Sequence, residues 1–356
     1  MRKRLSIILI IALLTVSGCS VSRSINVNEV NSTGAKPSVN GVNSTMAKPN
    51  ELRTSQIQNS IGAKENEYVN QREVLYSTCF ISPQIGYISF ENTSLKNILA
   101  RTMDGGQTWQ QVYSGKALRA LSFATEQIGY AVDYPGEEID QKPELLRTVN
   151  GGVDWKKVDF VGSIPIEIDC ISDKTIFVAA SRSSNGVSGG LKYEEFVLLT
   201  TDGAKTWKAV SVPEGFYGEG MSWVSLEEGY LIDTDQPWTG SQPKRIYKTT
   251  DTGKTWTKIA ESGLREDNGV LPIGGYPNGI KFFEDGTGYI GFSRGNIIKT
   301  IDGSKSFKTI NCPEGSDVYP VPDFINKEEG FAILGNYQLI HTKDGGESWE
   351  KIWPRG

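Results

Sequence analysis

An eight-residue segment recurs six times in this 356-residue chain. It reads Thr102-Met-Asp104-Gly-Gly-Gln-Thr-Trp109, then Thr148-Val-Asn150-Gly-Gly-Val-Asp-Trp155, then Thr200-Thr-Asp202-Gly-Ala-Lys-Thr-Trp207. It returns as Thr249-Thr-Asp251-Thr-Gly-Lys-Thr-Trp256, Thr300-Ile-Asp302-Gly-Ser-Lys-Ser-Phe307 and Thr342-Lys-Asp344-Gly-Gly-Glu-Ser-Trp349. The closing aromatics stand 46, 52, 49, 51 and 42 residues apart. A period of this size marks a chain built of like supersecondary units that bury their apolar faces only against one another.

A second element keeps step with the first. Gly-Tyr or Gly-Phe recurs at 86–87, 129–130, 229–230, 288–289 and 330–331, with Ile176-Phe177 in the third unit. An alternating apolar run precedes each pair, as in Leu118-Arg-Ala-Leu-Ser-Phe123, and another separates pair from box, as in Asn97-Ile-Leu-Ala-Arg101. A fourth run follows the box. Period-two alternation bounded by Gly, Asp and Asn reads as strand, so each unit holds four short strands. No stretch of the repeat region sustains a helical period. Four-stranded units repeated radially predict an all-β fold, a single β-propeller of six blades, or seven if the segment before Leu75 adds strands.

The box has a mechanical reading. Asp, Asn and Thr side chains accept hydrogen bonds from main-chain amides in tight turns, and Gly supplies positive φ. Asp104, Asn150, Asp202, Asp251, Asp302 and Asp344 are therefore expected to be turn caps in the hairpin between third and fourth strands, with the closing aromatic buried. Repeated once per unit, they cannot converge on one metal or catalytic site.

The Ser/Thr-x-Asp-x-Gly-x-Thr/Ser-Trp pattern resembles the Asp-box, or BNR, repeat of sialidases, sortilin-type receptors and xyloglucanases. Combined with Gly-Tyr and Leu-Arg-Thr ahead of the box, it most resembles the photosystem II stability/assembly factor family. That resemblance implies a single exported propeller that assists assembly of a membrane complex, with its boxes facing away from the ligand side. The photosystem itself is not implied here.

The first 67 residues contain no Trp, Tyr or Phe and cannot build a packed core. Residues 1–18 combine a basic start, Arg2-Lys3-Arg4, with the apolar run Leu5–Val16 and a small pair, which is secretory signal design. The run is too short for a permanent span. Val16-Ser17-Gly18-Cys19 resembles a bacterial lipobox, which implies lipidation of Cys19 and a membrane anchor on the outer face of the cell membrane. Residues 19–70 read as a polar tether; Val30–Pro37 nearly repeats at Val42–Pro49. Such a tether reaches roughly 40 Å. The propeller is expected over 71–356.

Composition excludes several chemistries. There is one histidine, His341, so multi-His metal sites are excluded and no metal or cofactor is expected. His341 precedes the last box, where Arg101, Arg147, Lys248 and Lys299 stand elsewhere, and reads as an exposed strand residue. The net charge of −5 disfavours nucleic acid as a partner. Gly186-Val-Ser188-Gly-Gly190 matches a nucleophile-elbow pattern without its strand–helix context, and Lys248 stands where a phosphate loop ending at Gly253-Lys254-Thr255 requires Gly. Neither carries a site. Arg119 lies on an inner strand, but no Arg-Ile-Pro signature of a sialidase accompanies it. Glu167, Asp169 and Asp323 fall on or beside inner strands and are expected to line the channel. Cys79, Cys170 and Cys312 are expected as free thiols, the first two buried.

The informative pattern for function is aromatic. Connections between second and third strands, and from one blade to the next, lie on the channel-mouth face. They are longest at Tyr134–Glu144, Ser181–Glu195 and Asp233–Lys244, the last carrying Trp238. Tyr217, Tyr276 and Tyr319 precede successive inner strands at nearly one phase, and Arg182 and Arg265 add charge. Trp238, Tyr217, Tyr276, Trp223 and Arg119 are the candidate binding residues, since aromatics and Arg on turns mark interaction surfaces. The expected function is a non-enzymatic scaffold binding a protein partner at the cell envelope. The alternative is a propeller that binds or cleaves a cell-surface glycan in the manner of a sialidase.

Overall fold

A computed structural model describes residues 73–134, 142–160, 163–185, 191–214, 216, 218–235, 242–263, 269–293, 296–313, 320–335 and 337–354. The first blade is β1 (Val74–Phe80), β2 (Gly86–Glu91), β3 (Asn97–Thr102) and β4 (Gln110–Gly115). The second is β5 (Leu118–Phe123), β6 (Gly129–Asp133), β7 (Glu144–Thr148) and β8 (Lys156–Lys157). The third is β9 (Ile164–Cys170), β10 (Ile176–Asn185), β11 (Leu191–Thr200) and β12 (Lys208–Val210). The fourth is β13 (Gly218–Trp223), β14 (Gly229–Thr234), β15 (Lys244–Thr249) and β16 (Thr257–Glu261). The fifth is β17 (Pro277–Phe282), β18 (Gly288–Phe292), β19 (Ile297–Thr300) and β20 (Lys308–Ile310). The sixth is β21 (Val321–Phe324), β22 (Gly330–Leu334), β23 (Gln338–Thr342) and β24 (Glu350–Trp353). Each blade is a four-stranded antiparallel meander in chain order, so the described residues form a six-bladed β-propeller. The Ser181–Glu195 connection is largely strand: β10 and β11 pair in register out to Asn185 and Leu191.

The Gly-Tyr pair fastens neighbouring blades. Its glycine starts each second strand, opposite the last residue of the inner strand: Gly86 faces Phe80, Gly129 Phe123, Gly229 Trp223, Gly288 Phe282 and Gly330 Phe324. Each of those aromatic rings covers its glycine so closely that a Cβ would collide with it. The third unit inverts the pair, with Cys170 small and Ile176 large. The aromatic after the glycine then stacks on the inner-strand aromatic of the next blade. Tyr87 lies on Phe123, Phe177 on Trp223, Tyr230 on Phe282 and Tyr289 on Phe324, with centroids 3.5–4.1 Å apart. Phe331 on Phe80, at 3.3 Å, closes the circle from blade six to blade one. Only Tyr130 lacks such a stack among these six; Cys170 offers no ring, and Tyr130 packs with Ile166, Ile168 and Ile176 instead.

The residue directly across from four of these aromatics is a cation, while Phe177 faces Leu199. Arg101, Arg147, Lys248 and Lys299 lie 5.2–5.8 Å over Tyr87, Tyr130, Tyr230 and Tyr289. His341 takes that place in blade six, flat on Phe331 at 4.3 Å. It is therefore buried, at 4% exposure, rather than exposed as its polarity suggests. Its Nδ1 lies 3.1 Å from Glu350 Oε1 and its Nε2 3.0 Å from Glu329 Oε1.

The boxes are hairpin turns between third and fourth strands. In the first, Thr102 Oγ1 donates to Asp104 Oδ1 at 2.8 Å and accepts from the Gly106 amide at 2.8 Å. Asp104 also accepts the Thr108 amide and hydroxyl. These bonds to the charged form hold Asp104 down to about 2. Asn150 and Asp154 exchange the chemistry without losing the bond, since Asn150 Nδ2 donates to Asp154 Oδ2 at 2.9 Å. Ala204, Thr252 and Ser304 adopt φ of +63° to +73°, taking at a cost the conformation that glycine supplies elsewhere. The closing aromatics are half-buried, not buried. Trp109, Trp155, Trp256 and Trp349 meet the inner-strand aromatic of their own blade edge-on, and Trp207 meets Phe160.

Candidate functional site

The inner strands β1, β5, β9, β13, β17 and β21 carry the groups that face the centre. The residue before the last in each is Cys79, Ser122, Asp169, Ser222, Lys281 or Asp323. Five of the six accept the amide of the last inner-strand residue of the following blade. Phe123 donates to Cys79 Sγ at 3.2 Å, Cys170 to Ser122 Oγ at 3.1 Å, and Trp223 to Asp169 Oδ2 at 2.6 Å. Phe282 donates to Ser222 Oγ at 3.0 Å, and Phe80 to Asp323 Oδ2 at 2.9 Å. Nearer the channel mouth the pattern repeats, with the Leu121 amide on Ser77 Oγ and the Met221 amide on both oxygens of Glu167.

This adds a role to Glu167, Asp169 and Asp323, expected to line the channel. They sit where the sequence puts them, and each also accepts an inner-strand amide of the next blade. Burial pushes Asp323 up to about 6 and raises Asp169, while the amide bonds and Lys281 pull both back. Burial also raises the thiols, Cys79 to about 12, and Cys79, Cys170 and Cys312 are all free.

The opposite end, where inner strands begin and second strands turn into third, holds two of the three candidate binding residues that fall among the described ones, Arg119 and Tyr276. Arg119, second residue of β5, lies with its guanidinium 4.5 Å from the Tyr76 ring and 5.4 Å from the Tyr134 ring. Tyr76 in turn donates to Glu91 Oε2 at 3.1 Å. Among the described residues no carboxylate pairs with Arg119, and its buried Nε has no partner. Several other charges at this end are paired: Lys116 with Asp133 and Glu144, Lys157 with Glu144, Arg245 with Asp233 and Asp235. Tyr276 is half-buried at the entry to β17, its carbonyl accepting the Ser293 amide at 2.7 Å. Arg182 is exposed, 5.0 Å from the Phe196 ring.

Trp223 is overturned as a binding residue. It is 2% exposed, stacked on Phe177 and edge-on to Trp256, because the last inner-strand position is the one that locks adjacent blades. Tyr217, Trp238, Tyr319, Arg265, the Gly186–Gly190 segment, Cys19 and the tether lie outside the described residues.

Two residues at this end escaped the sequence reading. Glu195 on β11 accepts the Gly218 amide at 2.6 Å across the seam between blades three and four, and burial pushes it up to about 7. It shares a small cavity with Glu167, Phe216 and Met221. Lys244 is 1% exposed. Its signal was legible: it stands two residues before Ile246, on the inward phase of β15.

No family model matches the sequence. The chain is 29% identical over 139 residues to an oligoxyloglucan-reducing end-specific xyloglucanase of Emericella nidulans, which is 39% of this chain and 16% of that protein. It is 24% identical over 215 residues to a xyloglucanase of a Paenibacillus species, 51% of this chain and 20% of that one. The matched region thus spans a fifth or less of these curated relatives. Among solved structures it is similar to YCF48 bound to D1 peptide, with 19% identity, a TM-score of 0.46, and coverage of 79% of this chain and 81% of that one.

Proposed function

We propose that this chain is a binding module of the cell envelope, anchored through a lipidated Cys19, that engages a protein partner with the long-loop end of its propeller. The observation that carries the reading is the engagement of the channel carboxylates. Hydrolysis of a glycoside needs two carboxyl groups free to exchange protons or attack. Glu167, Asp169 and Asp323 instead hold main-chain amides of the neighbouring blade. At the other end, Arg119 lies between two tyrosine rings without a carboxylate of its own, an arrangement suited to an incoming polar or acidic chain.

Crosslinking of the tagged protein in its own envelope, followed by mass spectrometry, identifies the partner. Binding of that partner is then expected to fall about tenfold in Arg119→Ala, the loss of a desolvated charged contact, with the thermal midpoint preserved. Undiminished binding by Arg119→Ala and Tyr276→Ala together rejects this face. Cys19→Ser is expected to move the protein from the membrane to the soluble fraction.

A second reading has its own support. Both curated relatives are xyloglucanases, and Glu195, although it too accepts an amide of the next blade, is pushed up by burial to about 7, so that near neutral pH a good share of it carries the proton a general acid requires. Xyloglucan oligosaccharides that bind, and are cleaved by the native protein but not by Glu195→Gln, would favour it over the scaffold.

A further inference from the structure

A buried ammonium must find partners, because an unpaired charge in an apolar interior is prohibitively costly. Lys244 has found four. Its Nζ donates to the carbonyl oxygens of Gln242 and Pro272 at 2.8 Å, Ile273 at 2.9 Å and Gly274 at 3.3 Å. The Phe292 ring lies 5.3 Å away. Burial pushes the group down to about 8, so it keeps its charge at neutral pH. Charged side chains on the surrounding strands are occupied elsewhere: Arg245 with Asp233 and Asp235, Glu261 with Lys258.

Three of the four carbonyls are consecutive. A backbone aims successive carbonyls at one point only where it curls tightly. Gly275 completes the curl with φ of +72°, and a Cβ there would stand 2.6 Å from the Ser293 carbonyl oxygen. The curl is pinned on each side by the Gln242 amide on Ile273 O, the Leu271 amide on Glu261 O and the Ser293 amide on Tyr276 O. Tyr276 leaves this curl directly into β17.

We propose that these carbonyls form a monovalent-cation cradle which the chain fills with its own ammonium, making Lys244 the positioning residue of segment 271–276 and of Tyr276 at the rim. The cradle stands on its geometry alone; its bearing on Tyr276 rests on the long-loop end being the binding face. An uncharged side chain would leave the Gln242, Pro272 and Gly274 carbonyl oxygens without the ammonium donor, Ile273 O keeping the Gln242 amide.

Hydrogen exchange of the Gln242, Leu271 and Ser293 amides tests the cradle without any partner. In Lys244→Ala in sodium chloride, exchange there is expected to be roughly tenfold faster, the effect of unsatisfied buried acceptors. Propylammonium or ammonium chloride is expected to restore protection. Tetramethylammonium, a cation without N–H donors, is not. Lys244→Met keeps the stem and lacks the donors, and is expected to stay unprotected in every salt. Native-like protection in Lys244→Met, rescue by tetramethylammonium, or no rescue by either donor cation would overturn the cradle. If Lys244→Ala fails to fold in sodium chloride, its refolding yield in propylammonium chloride is the readout, and no gain counts against the cradle. A rescued cradle with partner binding unchanged in Tyr276→Ala would refute the rim reading and leave the cradle standing.

Discussion

The Gly-Tyr pair makes a sharp demand that one methyl group can test. In Gly229→Ala the new Cβ would lie 2.6 and 2.8 Å from two carbons of the Trp223 indole, and closer still to a third. Carbon atoms rest about 3.5–4.0 Å apart, so the ring must retreat by close to 1 Å. It has nowhere to go. Its other face is stacked on Phe177 at 3.6 Å, its edge meets Trp256, and it is 2% exposed. Overpacking of this kind costs ~1–3 kcal/mol, and the rigid surroundings place Gly229→Ala at about 2–3 kcal/mol. Urea unfolding followed by tryptophan fluorescence measures this as a lowered midpoint at constant slope. Gly274→Ala is the control: a Cβ there meets no atom within 4 Å, and the change is expected to stay within about 0.5 kcal/mol. In a Trp223→Leu background the Gly229→Ala penalty should largely vanish, because its cause has been removed. A Gly229→Ala protein as stable as the native one, or a penalty that survives the loss of the indole, refutes the reasoning.

Blade three offers the reciprocal case. Cys170→Phe and Ile176→Gly are each expected to destabilise, by overpacking and by a cavity, while the double substitution recovers at least about 1 kcal/mol over their sum; additivity would refute the pairing. Asp323, pushed up from 3.8 to about 6, binds its proton more tightly folded than unfolded. Stability is therefore lost as pH rises from about 4 to 6, and the cost above that window is on the order of 3 kcal/mol. Asp323→Asn keeps an oxygen for the Phe80 amide, so thermal unfolding should show it stabilised at pH 8 and not at pH 4; equal effects at both pH values would sink the argument. Thr200→Val deletes the hydroxyl that bonds Asp202 Oδ1 and accepts the Ala204 amide, and calorimetry should find a loss of about 1–3 kcal/mol.

The blades were legible because their signals are local. Period-two alternation, a turn that recurs with its own hydrogen-bonding residues, and a glycine before an aromatic all act within a few residues. What lies between blades was not legible. Trp223 looked like a loop aromatic because nothing nearby in sequence announces that Phe177, 46 residues earlier, will cover its face. His341 looked exposed because its burial depends on the strand across the hairpin supplying Phe331 beneath it and on Glu329 and Glu350 meeting its two nitrogens. The carboxylates Asp169 and Asp323 were placed on the correct strands, but their partners were not legible, because these are amides 54 and 243 residues away.

Those amides also bear on the proposal that the mouth end is the binding face. At the box end each seam is closed by a stack, a hydrogen bond or both. Lys281 is the exception that fixes the charge balance. It occupies the acceptor position in blade five, and an ammonium cannot accept, so among the described residues the Phe324 amide has no bond of the kind made at the other five seams. That seam rests instead on the Tyr289–Phe324 stack and the Tyr289 hydroxyl on Lys327 O at 2.6 Å. The freed charge acts across the channel on Asp169, Asp323 and Cys79, groups from three other blades. Cation and carboxylates at the box end thus answer one another, whereas Arg119 at the mouth lies over the Tyr76 and Tyr134 rings and, among the described residues, pairs with no carboxylate. On that proposal, a partner that brings its own negative group is expected to gain more at the second place than at the first.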